Sequence, residues 1–412
     1  MSVMQRNVVI IGGGPAGLAA AVALARRGVG GILVAERENT LGGILRQCIH
    51  DGFGLMRFGE SLSGPEYAQR FIDEAAQLGI ECLTGTTVLS ITPDRLVTLA
   101  SREGMRRIQA KAVVLAMGCR ERTRGALGIP GERPAGVFTA GVAQAYMNLY
   151  NRMIGREVVI LGSGDIGMIM ARRLTLEGAH VQAVFEIQPI PSGLPRNIEQ
   201  CLHDYGIPLL LSHTITEIHG SARVEGVTVS RVDEKLCPIP GTEKRYDCDT
   251  VILSVGLLPE NELSLDAGVT LDGRTRGAVV DEFLQTSRKG VFAAGNVLHV
   301  HDLVDAVSLE AERLADGVAA YLEAGALPDC PIGVRCGAGL GHVLPQQITG
   351  TSDVLLSMRP GRKLGRCAVV LRQGGREIQR HPLRKALPAE MIQFTLRHEH
   401  IIGNEEIEVS LE

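Results

Sequence analysis

Asn7-Val8-Val9-Ile10-Ile11-Gly12-Gly13-Gly14-Pro15-Ala16-Gly17 is the stretch that decides the fold of this chain. Val8 to Ile11 is a short apolar run rich in β-branched residues, as in a strand buried on both faces of a parallel sheet. Gly12, Gly14 and Gly17 then form GxGxxG. The first glycine permits a tight turn, the second lets backbone approach a pyrophosphate, and the third lets the next helix pack close to the strand. The Ala- and Leu-rich run from Leu18 to Arg27 reads as that helix. Its N-terminus offers unpaired N–H groups and a partial positive charge to phosphates. Ile32 to Ala35 is the second strand, and Glu36 ends it, 19 residues after Gly17. An acid at that place accepts hydrogen bonds from both ribose hydroxyls. GxGxxG alone is a weak signal, but strand, helix, strand and acid in this order are specific. The cofactor contacts expected here are Gly12, Gly14, Pro15, Ala16, Gly17, Glu36 and the adjoining Arg37. The motif does not say whether the dinucleotide is FAD or NAD.

The opening unit recurs. Glu157-Val158-Val159-Ile160-Leu161-Gly162-Ser163-Gly164-Asp165-Ile166-Gly167 is again a strand followed by GxGxxG, offset by 150 residues. A helix from Ile166 to about Glu177 and a strand from His180 to Phe185 follow, and Glu186 lies 19 residues after Gly167. Gly162, Gly164, Gly167 and Glu186 therefore read as a second dinucleotide site. Glu186 repels a 2′-phosphate, which favours NAD(H) over NADP(H). The repeat extends further, because Lys111 to Gly118 and Cys248 to Gly256 are both buried strands ending in glycine.

Composition bounds the rest. A chain of 412 residues is too long for one ordinary core, so two or three domains are expected. Aromatics are only 3% and Trp is absent, which argues against stacking platforms for single-stranded nucleic acid. A net charge of −4 leaves no basic footprint for nucleic acid or an acidic membrane surface. No apolar run approaches the roughly 20 residues of a membrane helix. The run Leu18 to Ala25 mimics a signal-peptide core, but removing it would destroy the nucleotide motif. Nine cysteines, an odd number without framework spacing, point to reduced thiols and a cytoplasmic protein.

Between these units lie weaker signals. Gly42 and Gly43 come soon after the ribose acid and suggest backbone packed on an extended cofactor. Cys48 has no CxxC or CxxxxC partner, so a dithiol relay is not expected. His50 reads as a proton donor or as a hydrogen-bonded loop residue. Glu66 to Leu78 has helical spacing. Glu81 to Ala100 and Met105 to Ala110 read as short strands, with a turn at Thr92-Pro93-Asp94. Arg120 to Pro134 reads as a connection between domains. Its Arg120, Arg122, Arg124 and Arg133 face phosphates, a partner or solvent. Pro189 to Pro195 is a turn-rich loop. Val279 to Gly295 holds Thr286 to Asn296, where a strand ending in Ala-Gly followed by a small polar residue can place the Asn296 side chain on a ribityl hydroxyl. His299, His301, Asp302 and Asp305 then cluster at the entry of an amphipathic helix running to Tyr321, either lining the cofactor or capping the helix. Pro328 to Gly341 reads as a linker whose Cys330 and Cys336 make a poor metal site, so no metal is expected. The remaining tail reads as short strands without catalytic chemistry of its own.

The two nucleotide units and Ala293-Ala294-Gly295-Asn296 resemble the two-dinucleotide-binding flavoprotein disulfide-reductase superfamily. Three stretches resemble one subgroup of it: Leu41-Gly42-Gly43-Ile44-Leu45-Arg46-Gln47-Cys48-Ile49-His50, Gly118-Cys119-Arg120-Glu121-Arg122-Thr123 and Gly295-Asn296-Val297-Leu298-His299-Val300-His301-Asp302. Its members are NAD/FAD oxidoreductases paired with flavoproteins similar to glycerol-3-phosphate dehydrogenase, and relatives include subunits of opine, proline and cyanide-forming dehydrogenases. The resemblance implies an α/β fold with two Rossmann-like dinucleotide-binding domains, the NAD domain inserted in the FAD domain, and a small β-rich C-terminal domain. The implied boundaries are 1–120 with 255–327 for FAD, 121–254 for NAD and 328–412 for the tail. It implies FAD on Gly12, Gly14, Gly17, Glu36, Gly42, Gly43, Gly118, Gly295 and Asn296, and NAD(H) on Gly162, Gly164, Gly167 and Glu186. Three departures stand out. The redox cysteine pair of disulfide reductases is missing, Asn296 stands where many members have Asp, and the tail lacks the four cysteines of an iron–sulfur cluster.

The expectation is thus an enzyme that passes hydride between NADH and a bound FAD, as an oligomer and as a subunit of a glycerol-3-phosphate or amino-acid dehydrogenase. A free-standing NADH oxidase and a non-catalytic FAD-binding subunit are the competing readings. Hydride transfer needs no obligatory acid or base. Cys48, His50 and His301 are the catalytic candidates, Cys48 only by forming a sulfenate.

Overall fold

The computed structural model describes residues 3–412. It divides into two compact units, Met1–Cys119 with Pro259–Glu412, and Arg120–Leu258. The first opens with β1 (Val3–Ile11), α1 (Pro15–Arg26), β2 (Ile32–Ala35), α2 (Gly64–Gln77), β3 (Glu81–Leu83), β4 (Thr87–Ile91), β5 (Leu96–Ser101) and β6 (Gly104–Leu115). The sheet runs β3-β2-β1-β6-β5-β4. β1 is parallel to β2 and β6, with Val9 opposite both Leu33 and Val113. Val8, Val9 and Ile10 are fully buried, as a strand covered on both faces requires. β4 and β5 are antiparallel additions hinged at the Thr92-Pro93-Asp94 turn. The two short strands expected around Ala110 are one continuous β6. Its first half pairs with β5 through Leu96 to Gln109, so the chain has no reason to break there. Ser63 and Glu66 start α2 with a reciprocal capping box.

The second unit contains β7 (Val137–Thr139), α3 (Ala140–Asn148), β8 (Glu157–Leu161), α4 (Asp165–Leu176), β9 (His180–Glu186), α5 (Pro195–Cys201), β10 (Leu209–Leu211), β11 (His213–His219), β12 (Gly226–Arg231), β13 (Lys244–Tyr246) and β14 (Thr250–Leu253). Its parallel sheet runs β7-β14-β8-β9-β10, and β11-β12-β13 form an antiparallel sheet. Val158 and Ile160 face one apolar core, Val159 and Leu161 the other. The connection from Arg120 to Pro134 is more ordered than its composition suggests. Arg124–Leu127 is a helical turn, and Arg124 is buried. Its guanidinium donates to the carbonyls of Ile129 and Pro130 at 3.3 and 2.8 Å, and to that of Glu132. Arg124 therefore ties its own loop together and faces neither phosphate nor solvent. Internal carbonyls satisfy the charge.

The chain then returns to the first unit. β15 (Val291–Ala293) adds in parallel to β6, with Val291 opposite Val113, and α6 (Val304–Ala324) follows. The tail comprises β16 (Ile332–Cys336), β17 (Leu340–Leu344), β18 (Val354–Pro360), β19 (Cys367–Gln373), β20 (Arg376–Leu383), β21 (Ile392–Leu396) and β22 (Ile407–Leu411). β16, β22, β19 and β20 lie side by side in one sheet, and β17-β18-β21 form another. Leu356, Met358, Val369, Leu371, Leu396 and Val409 belong to a core of their own. The stretch Pro328 to Gly341, expected as a linker, contains β16 and runs into β17. Its Gly and Cys residues conceal a strand alternation in which Ile332, Val334 and Cys336 are buried and Arg335 is exposed. No helix among the described residues is long and apolar enough to cross a membrane.

Candidate dinucleotide sites

In the first unit the turn after β1 is built around missing side chains. Gly12 has φ +108°, and a Cβ there would lie 2.4 Å from the Ala116 carbonyl oxygen. A Cβ on Gly17 would lie 1.9 Å from the Gly12 carbonyl oxygen, so α1 packs as close as glycine allows. Gly14 is different. A Cβ there would meet only the Gly43 Cα, at 3.8 Å. Its surroundings are open where a phosphate would approach backbone. α1 starts with Pro15 at N1, no capping side chain and no acid in its first turn, which leaves its positive end to an anion. The second glycine pair is fastened to the first, since Gly42 N–H donates to the Gly13 carbonyl at 2.8 Å. Gly295 ends β15 against the same helix, and a Cβ there would lie 2.8 Å from the Ala16 Cβ. Gly118 has φ +73° with open space beside it.

Glu36 is buried at the end of β2. Its Oε2 accepts from Gly13 N–H at 2.8 Å and its Oε1 from Glu38 N–H at 2.7 Å. A carboxylate has about four acceptor sites, so each oxygen keeps one for a ribose hydroxyl. Arg37 is exposed and lines an open cleft with Asn39, Thr84, Thr86, Arg102 and Arg106. These residues fit one dinucleotide: an anion-ready helix end, a backbone cradle and an acid for the ribose.

The second unit repeats the turn with more polar furniture. Gly162 has φ +96°, and a Cβ there would lie 2.0 Å from the Ser254 carbonyl oxygen. Ser254 Oγ accepts from Gly167 N–H at 3.1 Å. Glu186, buried at the end of β9, accepts from Ser163 N–H and Ser163 Oγ at 3.0 and 2.6 Å, and from Ser192 Oγ at 3.2 Å, all on Oε2. Gln188 N–H donates to Oε1 at 3.0 Å, which leaves that oxygen room for a ribose hydroxyl. Asp165 stands in the first turn of α4, where an acid would oppose a phosphate. Its Oδ1 is turned aside to accept from Leu194 N–H and Asn197 Nδ2 at 2.8 and 2.6 Å. Ser163, Ser192 and Ser254 carried no signal in the sequence, because serines in loops are common and only the fold brings these to the turn.

The catalytic candidates fare unevenly. Cys48 donates to the Ile44 carbonyl at 3.4 Å, and burial pushes its thiol up to about 12. It is therefore protonated at neutral pH and a poor nucleophile. His50 packs its ring on Phe53 at 5.0 Å between centroids. Asn296 is half-buried. Its Oδ1 accepts from His301 N–H at 3.0 Å, and its Nδ2 donates to Cys119 Sγ at 3.6 Å. Neither Asp302 nor Asp305 caps α6. Asp302 accepts from Arg359 at 2.5 Å and Met391 N–H at 2.6 Å, while buried Asp305 accepts from Gly54 and Arg57 N–H at 3.0 and 2.8 Å. His299 and His301 converge on Glu310, a residue the sequence reading missed. Glu310 lies on the buried stripe of α6 with Val307, Ala311 and Leu314, and an acid on such a stripe is the signal that was available. Its Oε1 accepts from Gly295 N–H at 2.8 Å and its Oε2 faces His299 Nε2 at 2.8 Å. Burial alone would push its carboxyl up, but the two imidazoles outweigh it and hold Glu310 well below the usual carboxylate range. Burial, then neighbouring His301, lowers His299.

Comparison with known proteins accords with this geometry. The pyridine nucleotide-disulphide oxidoreductase family matches residues 6–315. Hydrogen cyanide synthase subunit HcnB of Pseudomonas protegens is 27% identical over 322 residues, covering 71% of this chain and 66% of that subunit. Glutamate synthase (NADPH) small chain of Escherichia coli is 28% identical over 351 residues, covering 77% of this chain and 69% of that one. The chain thus spans about two thirds of the length of these curated relatives. Among solved structures, thioredoxin reductase of T. acidophilum superposes with a TM-score of 0.63 at 27% identity, covering 77% of this chain and 98% of that one. With two Rossmann-like sheets, each carrying a glycine turn and a terminal acid, and a family match over most of its length, this chain belongs to the pyridine nucleotide-disulphide oxidoreductases, as an FAD-dependent flavoprotein oxidoreductase.

Proposed function

We propose that this chain oxidises NADH with a bound FAD and works as a subunit of a larger dehydrogenase that handles glycerol 3-phosphate or an amino acid. The observation that carries the nucleotide choice is Glu186. Its buried carboxylate ends β9 where the 2′ position of the adenosine ribose would lie, and a 2′-phosphate there would meet a fixed negative charge. FAD, when bound, supplies the two-electron carrier for hydride from nicotinamide. This chain's residues do the placing. Gly12, Gly14, Pro15, Ala16, Gly17, Gly42 and Gly43 hold the FAD pyrophosphate, Glu36 and Arg37 its adenosine end, and Gly118, Gly295 and Asn296 its flavin side. Gly162, Gly164 and Gly167 hold the NADH pyrophosphate.

Two observations support an acceptor other than a disulfide. No two of the nine cysteines stand closer than Cys330 and Cys336, so a CxxC relay is missing from the sequence. Cys48 is held as a thiol. The names of HcnB and of the glutamate synthase small chain, both subunits, support a partner.

The test is an anaerobic titration of the purified flavoprotein, following the flavin band near ~450 nm. Rapid bleaching by NADH and slow bleaching by NADPH is the expected result. Faster bleaching by NADPH would overturn the Glu186 assignment. A bound flavin that neither nucleotide bleaches would overturn the catalytic reading in favour of a structural FAD.

A further inference from the structure

His299, His301 and Glu310 form a closed polar cluster inside the first unit. The side chains of His299 and His301 are each 1% exposed and that of Glu310 is 3% exposed. One ligand atom from each lies within 4.8 Å of the others. Asn296 Oδ1 accepts from His301 N–H at 3.0 Å, which fixes the orientation of the amide. The same oxygen lies 3.2 Å from His301 Nδ1, so Nδ1 must carry a proton and donate. In the neutral ring, Nε2 is then a bare lone pair. It points at Glu310 Oε2 across 3.4 Å and has no hydrogen-bond partner. Two lone pairs facing each other in a buried site repel unless a positive charge lies between them.

The geometry points to a divalent transition-metal site, of the zinc class, formed by His299, His301 and Glu310. Two imidazoles and one carboxylate form a recognised three-ligand set that leaves a position open. Ligand atoms about 2.0–2.1 Å from a tetrahedral ion lie about 3.4 Å apart, which matches His301 Nε2 and Glu310 Oε2, while His299 Nε2, 2.8 Å from the same oxygen, would move out by about 0.6 Å on binding. The bond from His301 Nδ1 to Asn296 is the kind of outer contact that fixes the tautomer of a ligating imidazole. Glu310 is anchored independently by Gly295 N–H on its other oxygen, and an ion would take the place of the proton shared between Oε2 and His299 Nε2 at 2.8 Å. Arg359 on β18 donates to Asp302 and to the Val300 carbonyl, and so braces the loop that carries His301. Imidazole and carboxylate with no sulfur favour Zn²⁺ over Cu⁺, and two nitrogen ligands disfavour Mg²⁺.

The test is metal content. The FAD-loaded protein is stripped with a chelator, dialysed against micromolar Zn²⁺ with excess Mg²⁺, and its zinc measured per chain. Wild type is expected to hold one zinc more than His301→Gln and Glu310→Gln, with apparent affinity at least tenfold tighter. Both variants keep every cysteine, so adventitious thiol binding cancels in the difference. FAD retention and thermal unfolding check that the variants are folded. Should they unfold, Co²⁺ added to wild type decides. Absorption bands of a nitrogen- and oxygen-ligated ion support the site. A thiolate charge-transfer band or no band overturns it, as does equal zinc in folded wild type and variants. The last result would mean that a proton on His301 fills the gap.

Discussion

Ser163 donates both its backbone N–H and its hydroxyl to the same oxygen of Glu186, at 3.0 and 2.6 Å. At the position 150 residues earlier, Gly13 donates only a backbone N–H to Glu36, at 2.8 Å. Both acids also accept from the N–H two residues further on. The difference is chemical. Glu36 keeps an acceptor site on each oxygen, whereas the Oε2 of Glu186 is occupied by its own serines.

A ribose hydroxyl arriving at Glu186 Oε2 must therefore displace a serine hydroxyl. Ser163→Ala removes one competitor and is expected to tighten NADH binding about threefold to tenfold, since a hydrogen bond to a charged group is worth about 1.5–3 kcal/mol and is here only exchanged. Equilibrium titration of flavin or nucleotide fluorescence measures it. Weaker binding would mean that the Ser163 hydroxyl itself contacts the nucleotide.

Glu186→Arg replaces the acceptor with a cation. NADH affinity should fall roughly 10- to 100-fold, from loss of charge-assisted bonds, and NADPH should gain relative to it. Flavin bleaching rates across both nucleotides read this directly. An unchanged preference would sink the assignment.

Gly14→Ala and Gly17→Ala separate cofactor approach from packing. At Gly14 the added methyl meets only Gly43 Cα, at 3.8 Å, so the fold should hold while FAD content falls about tenfold or more. At Gly17 the methyl lies 1.9 Å from a backbone carbonyl, so thermal stability itself should fall by about 1–3 kcal/mol or more. Equal melting temperatures for the two variants would contradict this division.

Cys48 should resist alkylation. Burial pushes its thiol up to about 12, whereas Cys237 is exposed. Brief iodoacetamide treatment at pH 8 followed by peptide mass spectrometry should label Cys237 and spare Cys48. Cys48→Ser should leave NADH bleaching intact. Labelling of Cys48 ahead of Cys237 would revive a nucleophilic role.

Asp281 provides a pH signature of folding. Burial raises its carboxyl from 3.8 to about 6, despite donors at Phe283 and Gln285. Between those values the folded state holds a proton that the unfolded state has released. Stability therefore declines as pH rises from about 4 to about 6 and stays lower above, by at most roughly 3 kcal/mol. Asp281→Asn keeps Oδ1 for both backbone donors and should flatten that decline. Urea unfolding at pH 4.5 and pH 7 measures it. A wild-type slope retained in the variant would assign the effect elsewhere.

What the sequence by itself determined is everything with a short period. The buried run Val8 to Ile11, the glycine spacing and the acid 19 residues on are local patterns, because a strand, a turn and a helix start each impose their own demands within a few residues. Their repetition at 150 residues makes the two Rossmann-like sheets legible in the chain alone. Strand β16 was hidden because Gly333, Cys336 and Gly337 resemble loop punctuation, and only pairing with Ile407 to Val409 reveals the alternation. The tertiary structure alone decided the polar interior. Arg124 reads as one of four basic loop residues until its guanidinium is seen closing on carbonyls, and Glu310 reads as one more helical acid until His299 and His301 are placed against it. A charge is expensive to bury, so its role is set by which partners the fold brings to it, and those partners leave no period in the chain.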